Sequence, residues 1–278
     1  MKRARLILAV CLACWLLAPL AAQQPPPYRI LVTNDDGIGA PGLASLAQVL
    51  QAIGDVVVIA PSENQSGRSQ ALNTIEPIFR DERTLPNGLH AIGLTATPAT
   101  TVQVAIKNIV TPAPDLVVAG LNNAYNLGLS AYLGGTVGAA RQAAMEGVPA
   151  IAASIGAGAS AQDIVAAVEE VLGVARRVKE NGLPPLTFLN VNLPLRPADG
   201  YRGYRVTTQA PVRAGVESFA EATHPGGRTL YWSVYKEGVA APEGSDVWAV
   251  QQGYVSVTPM HVGEYDASLA DTVSGWFH

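Results

Sequence analysis

Cysteine is nearly absent from this chain. There are two, Cys11 and Cys14, and both lie inside an apolar N-terminal run. Downstream of that run no disulfide, thiolate nucleophile or thiolate-held zinc is available. Charged residues are sparse at 14%, whereas apolar residues reach 49%, which excludes a disordered, self-repelling chain. The net charge of −4 supplies no global basic field for a nucleic-acid polymer. Histidine is also scarce: His90, His224, His261 and His278 all fall outside the loops that carry the chemistry below, so a histidine-based phosphatase has no support. Neither a G-x-S-x-G elbow nor an H-E-x-x-H pattern occurs. The long apolar run, Leu6 to Leu20, is shorter than the roughly 20 residues that span a bilayer, and Pro19 interrupts it. What remains is a chain of 278 residues, enough for one large core or two modest domains.

The run is preceded by Lys2, Arg3 and Arg5 and followed by Ala21-Ala22. A basic start, an apolar middle and small residues at the end describe a secretory signal over residues 1–22, cut near Ala22. The expected product is periplasmic or secreted, with no membrane attachment after cleavage. Loss of the three basic residues takes its formal charge from −4 to −7.

Downstream, Arg29 to Thr33 reads as a buried strand that stops at Asn34-Asp35-Asp36-Gly37. Pro41 opens a helix whose apolar residues Leu43, Leu46, Ala47, Leu50 and Ile53 share one face, with Gly54 as its cap. Val56 to Ile59 and Asp115 to Ala119 read as further buried strands, and Thr136 to Glu146 as an alanine-rich helix. Ala150 to Ser154, a helix near Gln162 to Lys179, and Thr187 to Val191 continue the alternation. Strands apolar on both faces, separated by helices, predict an α/β fold: a Rossmann-like, mostly parallel sheet covered on both sides. From about Pro194 the pattern changes. Tyr204 to Thr208, Leu230 to Val234 and Tyr254 to Thr258 alternate like solvent-facing strands, which predicts an antiparallel C-terminal extension. The expected division is an α/β core of about 28–193 and an extension of about 194–278, within one domain of 23–278.

Three loops that follow parallel strands carry oxygen ligands: Asp35 and Asp36 in the first, Ser66 in the second, Asn122 in the third. Ligands of open α/β sheets bind at the carboxyl ends of the strands, so these loops are expected to converge. Two adjacent carboxylates repel unless a cation or proton intervenes, and carboxylate, hydroxyl and amide oxygens together select a hard divalent cation. Gly134-Gly135-Thr136, at the start of the alanine-rich helix, offers free N–H groups to a phosphate. Gly37 to Gly42 also fits the dinucleotide fingerprint G-x-G-x-x-G, with Glu63 about 20 residues on. Asp35 and Asp36 immediately before it oppose a pyrophosphate, which argues against a nicotinamide cofactor.

Taken together, Ile30–Gly42 (ILVTNDDGIGAPG), Ala60–Gly67 (APSENQSG), Val118–Gly128 (VAGLNNAYNLG), Gly135–Ala140 (GTVGAA) and Gly253–Pro259 (GYVSVTP) closely resemble SurE, the survival-protein-E family of nucleotidases. The resemblance runs in order from about Arg29 to Pro259. It implies a divalent-metal phosphatase that releases phosphate from nucleoside 5′- and 3′-monophosphates, with one Mg²⁺ or Mn²⁺ per subunit on Asp35, Asp36, Ser66 and Asn122. Asp35 and Asp36 carry the catalysis in this reading, and Asn34, Gly134, Gly135 and Thr136 hold the substrate phosphate. It also implies a homodimer or homotetramer built through the C-terminal extension. A water or an aspartate as nucleophile both suit these residues, as do polyphosphate as an alternative substrate and a non-catalytic nucleotide-binding role. There are departures: the family's Ser-Gly-Thr loop reads Gly134-Gly135-Thr136, a Gly reads Ala124, its Glu-Gly reads Gln142-Ala143, and Gly-Thr-Pro-x-Asp-Cys reads Ala96 to Thr101.

Overall fold

In a computed structural model of the chain, which describes residues 27–213, 215–236 and 240–277, alternate residues of each central strand enter opposite cores. The strands are β1 (Arg29–Thr33), β2 (Asp55–Pro61), β3 (Arg80–Thr84), β4 (His90–Leu94), β5 (Leu116–Asn122), β6 (Ala150–Ile155), β7 (Thr187–Leu193), β8 (Tyr204–Val206), β9 (Gly215–Thr223), β10 (Thr229–Lys236) and β11 (Val255–His261). The helices are α1 (Pro41–Leu50), α2 (Pro98–Val104), α3 (Gly135–Met145), α4 (Ala161–Asn181), α5 (Asp246–Gln251) and α6 (Ala270–Ser274). The predicted signal segment lies outside the described residues. No helix among those residues is long and apolar enough to cross a membrane.

Nine strands form one sheet in the order β3-β4-β2-β1-β5-β6-β7-β11-β8. β1 pairs in parallel with β2 on one side and β5 on the other, so the strand order reverses about β1. Ile30 and Val32 point to α1 and α4, where Leu43, Leu46, Leu50, Val171 and Val178 cover them. Leu31 points the other way, to α2 and α3 with Val102, Ala139, Ala140 and Ala143. Every residue of α3 from Gly135 to Ala144 is buried, and its small side chains let the helix lie close to the sheet. α4 starts on a reciprocal capping box between Ser160 and Asp163 and buries the apolar stripe from Ala167 to Val178. Burying a side chain the size of Leu46 contributes about 1.5–3 kcal/mol, so this two-faced packing is the main source of the fold's stability.

The structure corrects one boundary of the sequence reading, adds elements it passes over and refines the pairing of the C-terminal strands. α1 ends at Leu50 with Gln51 as its cap. Gly54 instead leads into β2, where a Cβ would lie 2.2 Å from the Tyr28 carbonyl oxygen. β3 is not legible as an apolar run, because it is an exposed, charged edge strand, whereas β4 beside it is buried and apolar from Ala91 to Leu94. The C-terminal region is not wholly antiparallel. β11 pairs antiparallel with β7, but β8 pairs in parallel with β11, and both extend the main sheet. Only the β9–β10 hairpin stands apart, antiparallel and with Phe219, Tyr231 and Trp232 exposed.

Candidate active site

β1, β2 and β5 end side by side, so the loops that follow them meet. Gln65 N–H donates to the Asp35 carbonyl at 2.7 Å and Ile38 N–H to the Pro61 carbonyl at 2.8 Å, stitching the first loop to the second. Asp36 touches both other loops: Ser66 Oγ donates to its Oδ1 at 3.4 Å, and Asn123 N–H donates to its Oδ2 at 3.2 Å. Asp35 faces α3, where Thr136 Oγ1 donates to its Oδ1 at 2.5 Å. Gly135 is pressed against the same carboxylate, since a Cβ there would lie 2.8 Å from both Cβ and Oδ2 of Asp35.

Burial pushes the Asp35 carboxyl above the usual range, the Asp36 charge adds to this, and the bonds from Thr136 pull it back. Burial also raises Asp36, against the donors on Asn123 and Ser66. None of the ion pairs among the described residues involves either aspartate, so no side-chain cation neutralises the pair. The donor set suits a hard divalent cation. Asn122 Nδ2 donates to the Ala124 carbonyl at 2.6 Å, which commits the nitrogen and leaves the amide oxygen as the atom to offer. Among the described residues no three His, Cys, Asp or Glu side chains gather, so a cation here would need the two carboxylates and neutral oxygens such as those of Ser66 and Asn122.

The candidates do not all sit alike. Asn34 is fully buried, with Nδ2 donating to the Gly37 carbonyl at 2.8 Å; it holds the turn beneath the aspartates, and its Oδ1 has no partner. Gly134 caps α3 in an extended conformation and Gly135 opens the helix, so the helix N–H groups begin beside Asp35. Sequence reasoning takes Asn122 from the third loop and passes over two neighbours. One is Asn123, through its N–H. The other is Asn126, which is buried between Ser154, Asn190 and Asn192. Its Oδ1 sits 1.8 Å from where a Gly134 Cβ would be. The density of asparagine from Asn122 to Asn126 is the signal that could have found them. On the far side of Asp36 a cleft of about 320 Å³ opens between α1 and α4, walled by Pro41, Leu121, Ile155, Ala159 and Ile164.

Known proteins share the sequence and the fold of this chain. The family model described as survival protein SurE matches residues 30–215. A protein named 5′-nucleotidase SurE from Syntrophotalea carbinolica is 40% identical over 249 residues, covering 89% of this chain and 96% of the relative. Its namesake from Coxiella burnetii is 36% identical over 260 residues, 90% of this chain and 95% of the relative. The crystal structure of the SurE protein from Aquifex aeolicus superposes with a TM-score of 0.76 at 33% identity, covering 90% of this chain and all of that one.

Proposed function

This chain belongs to the survival protein SurE family, and from that premise we propose that it is a divalent-metal-dependent 5′-nucleotidase. Nucleoside 5′-monophosphates, and 3′-monophosphates beside them, would be cleaved to nucleoside and phosphate. The observation that carries this reading is the double reach of Asp36, to Ser66 at 3.4 Å and to Asn123 at 3.2 Å, with Asp35 bonded to the start of α3 next to it. A buried and a half-buried carboxylate with no side-chain cation, at the point where strand order reverses, suit a metal and a phosphate ester better than packing.

Asp35, Asp36, Ser66 and Asn122 would hold the cation. When bound, Mg²⁺ or Mn²⁺ neutralises charge on the phosphoryl oxygens and lowers the pKa of water. The chain's own residues supply the rest. Thr136 fixes the Asp35 carboxylate by its hydroxyl. Gly134 and Gly135 would offer the N–H groups that begin α3 to a phosphate, and both are glycine because Asn126 and Asp35 fill the space a Cβ would need. Asp36, only half-buried, would take the proton of an attacking water, and one of the two aspartates would be the nucleophile in the alternative route. The apolar cleft beyond Asp36 would accommodate the nucleoside by shape.

Export is part of this proposal and is supported by the basic and apolar pattern of residues 1–22. So is self-association. A two-stranded ribbon is marginal on its own, and the exposed Phe219, Tyr231 and Trp232 of the β9–β10 hairpin suit contact with a second copy.

The test is phosphate release by the purified chain from a panel of 5′- and 3′-nucleotides and polyphosphate, with Mn²⁺ and then with chelator. Chelator-sensitive release from nucleotides supports the reading. Nucleotide binding without release would replace it with a binding protein, and release from polyphosphate alone would move the substrate.

A further inference from the structure

The strap leading into α3 is held from behind by Gln209 and by Asp246, the latter beyond the residues 30–215 that the family model matches. Asp246, the first residue of α5, is fully buried, and its carboxylate takes three backbone N–H groups. Oδ2 accepts from Gly128 at 2.8 Å, while Oδ1 accepts from Ala210 at 2.9 Å and Val247 at 2.8 Å. Gln209 Nε2 donates to the Gly128 carbonyl at 2.8 Å, so both polar backbone groups of Gly128 are gripped by C-terminal side chains. The approach is close enough to require glycine: φ is 52°, and a Cβ would lie 2.4 Å from the Val212 carbonyl oxygen. Leu127 seals the contact in a small core with Ala210, Val247 and Val250.

Gly128 opens the 3₁₀ turn Gly128–Tyr132, and Gly134, Gly135 and Thr136 follow directly. The far end of the strap is pinned by Ser69, whose Oγ donates to the Tyr132 carbonyl at 2.5 Å and whose N–H donates to the Leu133 carbonyl at 3.2 Å. The strap between Gly128 and Gly134 is thus tied at its start by Asp246 and Gln209, and at its end by Ser69 through Leu133, one residue before Gly134. We propose that Asp246 is a positioning residue of the active site: through Gly128 it sets the backbone of Gly134 to Thr136 that receives the substrate phosphate. This rests on the nucleotidase reading above. It makes the C-terminal extension a working wall of the site.

The decisive variant is Asp246→Asn in the full chain, which keeps size and packing but turns one acceptor into a donor facing an N–H. Four quantities are measured: kcat and KM for AMP, the inhibition constant of inorganic phosphate, Mn²⁺ affinity by calorimetry without nucleotide, and the melting temperature. The expected result is a weakening of phosphate inhibition and a fall in kcat/KM, each about tenfold or more, the scale of one buried charged hydrogen bond. Mn²⁺ affinity should stay within about threefold, since the carboxylates it needs sit on another loop. Gln209→Leu, which removes only the bond to the Gly128 carbonyl, should shift the same two quantities less, and it decides the matter if Asp246→Asn does not fold. Unchanged phosphate inhibition and kcat/KM in the folded variants would overturn the proposal. So would a parallel loss of Mn²⁺ affinity, phosphate affinity and melting temperature, the mark of a merely structural role. Failure of the unmodified chain to release phosphate from AMP would sink the nucleotidase reading instead, and direct calorimetric binding of inorganic phosphate would still decide the role of Asp246.

Discussion

Thr136 Oγ1 donates to Asp35 Oδ1 at 2.5 Å, joining residues 101 apart in the chain. The bond couples the phosphate-facing start of α3 to a carboxylate proposed to hold the cation, so one hydroxyl serves both. A hydrogen bond to a buried charged group is worth about 1.5–3 kcal/mol. Thr136→Val, similar in shape but without the donor, should lower kcat/KM for AMP by roughly 10- to 100-fold. Thr136→Ser should retain most of it. Steady-state kinetics on the three proteins checks this, and a Val variant as active as the unmodified chain would remove Thr136 from the site.

The raised carboxyls of Asp35 and Asp36 give a pH dependence with a definite sign. A group whose folded pKa lies above its unfolded value stabilises the fold below the unfolded pKa, and that contribution is lost as pH rises through the folded pKa. Burial raises both aspartates, so in chelator the protein should melt higher on the acid side of this window than at neutral pH. Asp36→Asn removes its own penalty and the repulsion it exerts on Asp35. Its melting temperature in chelator should therefore exceed that of the unmodified chain at pH 7, with the difference fading as pH falls. The same variant should lose most activity and the stabilisation by Mn²⁺. Thermal melts across pH, with and without metal, give all three, and an Asn variant less stable at neutral pH in chelator would contradict the electrostatic account.

Much of this was legible in the sequence because the central strands are apolar on both faces, as only a covered parallel sheet requires. Ile30, Leu31 and Val32 announce both cores at once, and the polar stop at Asn34 to Gly37 announces the loop. The charged edge strand Arg80–Thr84 carries no such pattern, because nothing packs on it. Pairing was less legible than existence: Val255 to His261 is visible as a strand, but its antiparallel pairing with β7 and parallel pairing with β8 depend on the path between them. In the site, carboxylates reveal themselves by residue type. Contributions made by backbone, such as Asn123 N–H and the Gly128 clamp, have no residue type to read. Gln142, where the family's pattern has Glu, is accounted for by its neighbours: it accepts from Gln70 Nε2 at 3.1 Å and donates to Glu146 at 3.0 Å.

Substitution of the fingerprint glycines tests the metal reading against the dinucleotide reading. In a pyrophosphate loop the second glycine lets the backbone approach the ligand. Here that residue is Gly39, and a Cβ on it would meet nothing within 4 Å. Gly39→Ala should leave activity intact and stabilise by about 0.4–1 kcal/mol through the unfolded chain. Gly135→Ala places a methyl group 2.8 Å from the Asp35 carboxylate and should abolish most activity. Parallel assays and melts of the two variants check the contrast. A strong loss in Gly39→Ala would reopen the dinucleotide reading.

The cleft beyond Asp36 carries the last prediction. It is lined by Pro41, Leu121, Ile155, Ala159 and Ile164, together with Asp36 and Asn123. At about 320 Å³ it can take a nucleoside-sized group, and its apolar walls read shape rather than hydrogen-bonding edges. Nucleotides whose bases share a size but differ in their hydrogen-bonding edges, such as AMP and GMP, should then differ little in KM. Ala159→Phe would fill the space without touching the carboxylates. It should raise KM for AMP by about tenfold, roughly the 1.4 kcal/mol expected for losing part of an apolar contact. Hydrolysis of a small ester such as p-nitrophenyl phosphate, which has no nucleoside to seat, should be unaffected. Equal losses on both substrates would mean that the substitution disturbs Asp36 itself, and no change on either would place the nucleoside elsewhere.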